Sequence, residues 1–322
     1  MQPIVIAILG TLIHSVAAQD GPPQDFGEAF PSGLAVLNDG QTGRGLKSMP
    51  TPSYTSQRWP DGLLPEPCAS IGDAYDCPRT DFEVYNVTYS DCPVPKTICR
   101  CSNSLIPFDE IAQEFGRIPM AARQMVRTFS SVQTGGCGGF SNGADIWLVG
   151  ACRDSPSVYF HEVGHMLDCQ HGAGGGFWSG MQEWKDVVTR TSDTCVSDNY
   201  AKNGWADNFA QTGVMIAYDL NVAPITDYPV SCMSNQISKA REVLLDAYSP
   251  NQGQCTQSVK QGRVLCVSDE ARAAGLCSES QFKVAAIQES KFKGVEFVDL
   301  EAVIQVCTGF KRRRGVPVPF VA

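Results

Sequence analysis

The residues best equipped for chemistry lie in one short stretch, His161-Glu162-Val163-Gly164-His165. Two imidazoles four residues apart on a helix project from one face and can share a single ion. Glu162, beside the first of them, would stand next to an open coordination position. A carboxylate there can take a proton from metal-bound water, whose pKa the ion lowers toward neutrality. The chain has four histidines, and three of them, His161, His165 and His171, fall within eleven residues. Scattered surface or core histidines would not cluster in this way. Zn2+ is the cation that suits two imidazoles and a carboxylate with one position open. The chemistry expected of such a set is hydrolysis of a peptide or protein substrate by Glu162-activated, zinc-bound water.

A catalytic zinc takes three protein ligands, so one more is needed. His171 is one candidate, because its distance from His165 matches the spacing in metzincins, with Met215 as the methionine of a later turn. A glycine would be usual where Asp168 stands, since the helix must break there, and Asp visits the left-handed conformation less readily. Asp207 is the other candidate. Tyr200 precedes it by seven residues, two helical turns, so phenol and carboxylate would share one face. One could then serve as ligand and the other as hydrogen-bond donor to a substrate oxyanion. Asp168 by itself reads as a hydrogen-bonding residue on the helix face.

These groups need elements to hold them. Ser155-Pro156 supplies an N-cap residue and a proline at the first helical position, so a helix should begin there and run through His165 toward Asp168 or beyond. The glycines at 172–176 end it. Gly164 reads as a close-packing position between helices. Before the helix, Ile146-Trp147-Leu148 reads as a strand, expected at the edge of a small twisted sheet where extended peptide could add. Further helices are expected over 181–189 and, as one unbroken amphipathic run, over 198–218. Phe108, Ile111, Ala112, Phe115 and Ile118 recur at helical spacing. Trp178, Trp184 and Trp205 flank the motifs, with core packing the commoner role and a substrate groove the alternative.

Composition sets the surroundings. Residues 4–16 form an apolar run of signal-peptide length with small residues at 16–18, so a signal peptide is expected over 1–18 and secretion with it. All fourteen cysteines follow it, which implies up to seven disulfides in an oxidising compartment. The stretch 19–66, rich in Pro, Gly, Ser and Asp, reads as a leader or linker, and 67–104, with five cysteines, as a Cys-rich subdomain. The catalytic domain is expected over 105–249, followed by a cysteine-containing segment over 250–322. Asn86-Val87-Thr88 matches the N-glycosylation pattern. A net charge of −9 argues against nucleic acid or an anionic membrane as partner, the basic run at 311–314 reading as a solvated tail. A monomer is expected.

His161-Glu-Val-Gly-His165-Met-Leu-Asp168, followed by Tyr200 and then Asp207-Asn208-Phe209-Ala210-Gln211, resembles the catalytic domain of the anthrax toxin lethal factor family. That resemblance implies an α+β zincin-like metallopeptidase domain with disulfide-rich flanks. It implies His161, His165 and Asp207 as zinc ligands, Glu162 as general base, Tyr200 as oxyanion donor and Asp168 in support of the ligands. Two departures stand out: Asp207 replaces a Glu, and Gln211 replaces another. They leave a second expectation beside the peptidase, a secreted binding or effector protein on the same scaffold without catalysis.

Overall fold

The computed structural model describes residues 21–172, 176–250, 255–277 and 287–308. The expected signal peptide and the basic run at 311–314 lie outside them. The chain is of the α+β class. Its centre is a six-stranded mixed sheet in the spatial order Tyr54–Arg58, Phe82–Tyr89, Cys92–Cys101, Thr128–Val132, Asp145–Gly150 and Cys137–Ser141. The first two pairings are antiparallel, the next two parallel and the last antiparallel.

The strand at Asp145–Gly150 is internal, not the expected edge, and all of its residues are buried. Its side chains alternate between two cores: Ile146 and Leu148 join the main one, Trp147 and Val149 a second one on the opposite face. An apolar run on both parities is what a strand covered on both faces requires. The edge falls to Cys137–Ser141, whose glycine-rich sequence carried little strand signal.

The Pro156–His171 helix, here the histidine helix, starts at the expected proline and continues without a break past Asp168. Ser155 does not cap it with its side chain; its hydroxyl donates to the Arg153 carbonyl instead. The run expected as one helix over 198–218 is two elements. A short 3-10 helix, Tyr200–Asn203, is followed by extended backbone at Gly204, and then by the Trp205–Asn221 helix, here the aspartate helix. Met215 is fully buried within the aspartate helix, so it forms no turn beneath a metal.

The stretch read as a leader or linker is built into the fold. Ala29, Phe30, Leu34, Leu37 and Leu46 are buried in the main core, and Tyr54–Arg58 is a strand of the central sheet. Residues 67–104 supply two strands of that same sheet, stapled by Cys68–Cys99 and Cys77–Cys101. All fourteen cysteines are paired, the rest as Cys92–Cys255, Cys137–Cys152, Cys169–Cys307, Cys195–Cys232 and Cys266–Cys277. Two of these bonds tie the C-terminal segment down, one to the sheet and one to the end of the histidine helix. Asn86 of the glycosylation pattern is only 9% exposed in mid-strand, between its strand partners Gln57 and Thr97. Among the described residues, no helix is long and apolar enough to cross a membrane.

Candidate metal centre

The histidine and aspartate helices pack at their closest where Gly164 meets Ala210. A Cβ on Gly164 would lie 2.9 Å from the Ala210 Cα, so only glycine lets the helices approach this far. The contact is next to His165 and one turn from His161 and Asp207, and it brings the three together. His165 Nε2 lies 3.3 Å from Asp207 Oδ1, and His161 Nε2 lies 3.9 Å from the same oxygen. The two imidazoles stand edge to face, 4.5 Å between ring centres. One ligand atom from each of His161, His165 and Asp207 falls within 4.8 Å of the others.

His171 is not part of this group. Because the helix does not break at Asp168, His171 lies ~9 Å farther along the axis than His165 and is turned to another face. Burial there pushes its imidazole down, with Asp246 pulling the other way. Asp168 is fully buried and accepts from the Ser179 backbone N–H at 2.7 Å and from the Ser179 hydroxyl at 2.6 Å. It thus fastens the 3-10 turn at Trp178–Gly180 to the histidine helix. Burial raises its carboxyl to about 7, although the Ser179 bonds oppose the shift.

The surroundings of the three donors differ in sign. Burial, aided by the neighbouring His165, drives His161 far below the ordinary histidine range, so it is neutral and keeps a lone pair to donate. Burial also works against a charged His165, but the hydrogen bond and charge of Asp207 prevail and lift it to about 8. Asp207 thus favours the protonated form of His165 across the 3.3 Å contact, and a cation binding at His165 Nε2 would displace that proton. Glu162 is 1% exposed, and neither carboxyl oxygen has a hydrogen-bond partner. Burial raises it to about 8. Its place depends on Gly139 of the edge strand, where a Cβ would sit 2.6 Å from Glu162 Oε1. Tyr200 comes to the centre from the 3-10 turn, its ring edge-on to His161 at 5.5 Å. Burial and the carboxylates of Asp207, Glu162 and Asp198 hold its phenol above the usual range.

Two residues at this centre had no role assigned to them from the sequence, where Gln211 stood only as the replacement of a Glu. Gln211 Oε1 lies 2.9 Å from His161 Nδ1, and Gln211 Nε2 donates to Asp198 Oδ2 at 2.6 Å. The available signal was spacing, since Gln211 follows Asp207 by one helical turn on the same face. Asp198 carried none, because its contact crosses a helix break. The tryptophans divide. Trp184 is fully buried and packs edge-on against Phe209 at 5.3 Å with Trp178 beside it, so these two are core rather than groove. Trp205 is partly buried beneath the Lys185 ammonium.

A model of the family of conidiation-specific protein Con-13 matches residues 29–306. The chain is also 40% identical over 285 residues to conidiation-specific protein 13 of Neurospora crassa, covering 87% of this chain and 81% of that protein. No solved structure matches. These findings overturn the resemblance to the lethal factor catalytic domain, which rested on two short motifs. They overturn with it the zinc metalloendopeptidase reading and its hydrolase chemistry, and they give the zincin fold no support. The physical reason is that H-E-x-x-H spacing records only that a helix can turn two imidazoles to one side. A reaction does not follow from that geometry.

Proposed function

Because the chain belongs to the family of conidiation-specific protein Con-13, we propose that it is a secreted, monomeric binding protein. In this reading it holds one Zn2+ at His161, His165 and Asp207 and acts by engaging a peptide or protein partner, without catalysis. The observation that carries the proposal is the convergence of two imidazole nitrogens and a carboxylate oxygen within 4.8 Å at the crossing of two buried helices. The donor set fits zinc, being nitrogen-rich, carrying one negative charge and including one histidine already neutral. When bound, the ion would add its own charge to a centre that already holds a buried carboxyl, Glu162, with no hydrogen-bond partner. Secretion is supported by the apolar run at 4–16 and by seven disulfides, which persist in oxidising compartments. The relative's name ties that protein to conidiation, and we infer the same setting for this chain.

The test is metal stoichiometry. Purified protein equilibrated with Zn2+ and freed of excess is expected to retain one ion per chain. Asp207→Ala removes a donor and the compensating charge and should abolish retention, while His171→Ala should leave it unchanged. A wild-type protein that retains no ion, or an Asp207→Ala protein that stays zinc-replete, would refute the proposal.

A further inference from the structure

Behind His161 lies a chain of polar groups, all buried, that ends on a carboxylate: His161 Nδ1, Gln211, Asp198. Its hydrogen bonds have only one consistent direction. Asp198 accepts the Ala201 N–H on Oδ1 at 3.0 Å, and its Oδ2 receives Gln211 Nε2 at 2.6 Å. Burial raises the Asp198 carboxyl to about 6, against the hydrogen bonds from Ala201 and Gln211; above that pH it is a carboxylate that only accepts, so the amide NH2 of Gln211 is committed to it. The amide oxygen is then what faces His161 Nδ1, and an amide oxygen also only accepts. Nδ1 must therefore carry the imidazole proton, which leaves the lone pair on Nε2, the nitrogen turned toward Asp207.

We infer that Asp198 and Gln211 are positioning residues that lock His161 in the Nδ1–H tautomer and so present Nε2 ready to ligate a cation. The inference rests on the zinc reading for its purpose but not for its geometry. The pair acts through polarity rather than charge at the ring. A carboxylate at 211 would confront Asp198 across 2.6 Å, whereas the neutral amide relays the acceptor character of Asp198 without repelling it. Reversing the polarity of Asp198 has a definite consequence. An amide at 198 can donate to Gln211 Oε1, which lets the Gln211 amide flip and present its NH2 to the ring. His161 Nδ1 would then become an acceptor, and the proton would move to Nε2, where the cation must bind.

The experiment has two readouts. Nitrogen-15 spectra of histidine-labelled, metal-free protein, assigned with His161→Asn, report the tautomer directly. Zinc titration against a competing chelator reports affinity. Wild-type His161 is expected in the Nδ1–H form. Gln211→Met and Asp198→Asn should each give a mixed or inverted tautomer, with zinc affinity lowered by about 10–100-fold, the usual loss when the partner of a ligating histidine is removed. The double variant Asp198→Asn/Gln211→Glu restores the polarity, because the new amide at 198 donates to the new carboxylate at 211, and that carboxylate accepts from Nδ1–H. It should recover the wild-type tautomer and most of the affinity, a rescue that a merely structural role would not give. An Nε2–H tautomer in the wild type, or a double variant worse than both single ones, overturns the inference. If the tautomers follow the expected order and no variant, nor the wild type, binds Zn2+, the positioning pair stands and the zinc reading falls.

Discussion

Gly164→Ala is the substitution that most directly tests whether helix approach builds the centre. An added Cβ would meet Ala210 Cα at 2.9 Å and Ala210 Cβ and O at 3.2 Å. These are backbone or stem atoms with no freedom to swing aside, so the helices must separate. Restoring ordinary contact, about 3.4 Å or more, requires a shift of roughly 0.5 Å at the crossing. Two effects then compete in the metal-free protein. Replacing a mid-helix glycine by alanine contributes about 1 kcal/mol in helix propensity. Overpacking a tight contact costs about 1–3 kcal/mol. The net expected change is a destabilisation of about 1 kcal/mol, within a range of roughly 0–2. Zinc affinity should respond more strongly, because ligand positions tolerate only ~0.2 Å. His165 directly follows the substituted residue, and Asp207 is one turn before Ala210. A tenfold or greater loss, at least about 1.4 kcal/mol, is expected. Urea denaturation in chelator measures the first quantity and competitive zinc titration the second. A Gly164→Ala protein that is more stable by the propensity gain and binds zinc as tightly as wild type would refute the reasoning.

Other outcomes follow from the same structure. Lys96 is buried with Nζ donating to the Gln124 carbonyl at 2.6 Å and the Ser258 hydroxyl at 3.0 Å; burial, then the charge of Arg123, lower it from 10.5 to about 7. Between those values the unfolded chain binds more protons, so stability should rise with pH above about 7 and be lost as pH falls toward it. Lys96→Met should flatten that rise in urea midpoints between pH 7 and about 9, and an unchanged slope would remove Lys96 as its source. Trp184→Ala empties a fully buried site against Trp178 and Phe209 and should cost about 3–5 kcal/mol; a loss under about 1 kcal/mol would show that the core does not depend on this ring. Thiol titration of unreduced, denatured protein should find no free cysteine, and two or more reactive thiols per chain would contradict the seven pairings.

The sequence alone determined what depends on short-range periodicity. His161 and His165 share a helix face because 3.6 residues make a turn, and the proline at 156 marks the start of that helix. The even cysteine count allowed for complete pairing, up to seven disulfides, but did not say which partners meet. Asp207 was legible through its distance from Tyr200, even though the reason was mistaken: the two lie on separate elements, with Gly204 extended between them. The strand at Asp145–Gly150 was legible as a strand, but its place was not, since an apolar run does not say how many faces are covered. Only the tertiary structure set Asp207 beside His161 and His165 and His171 apart from them, because that placement turns on whether the helix breaks at Asp168, and Ser179, eleven residues on, holds that aspartate in place. It also brought Gln211 and Asp198 to the centre, and it built the described residues 21–66 into the core and sheet. Each of these facts lives in a contact between residues far apart in the chain. Local propensity is silent about such contacts, and close packing across helices and strands decides them.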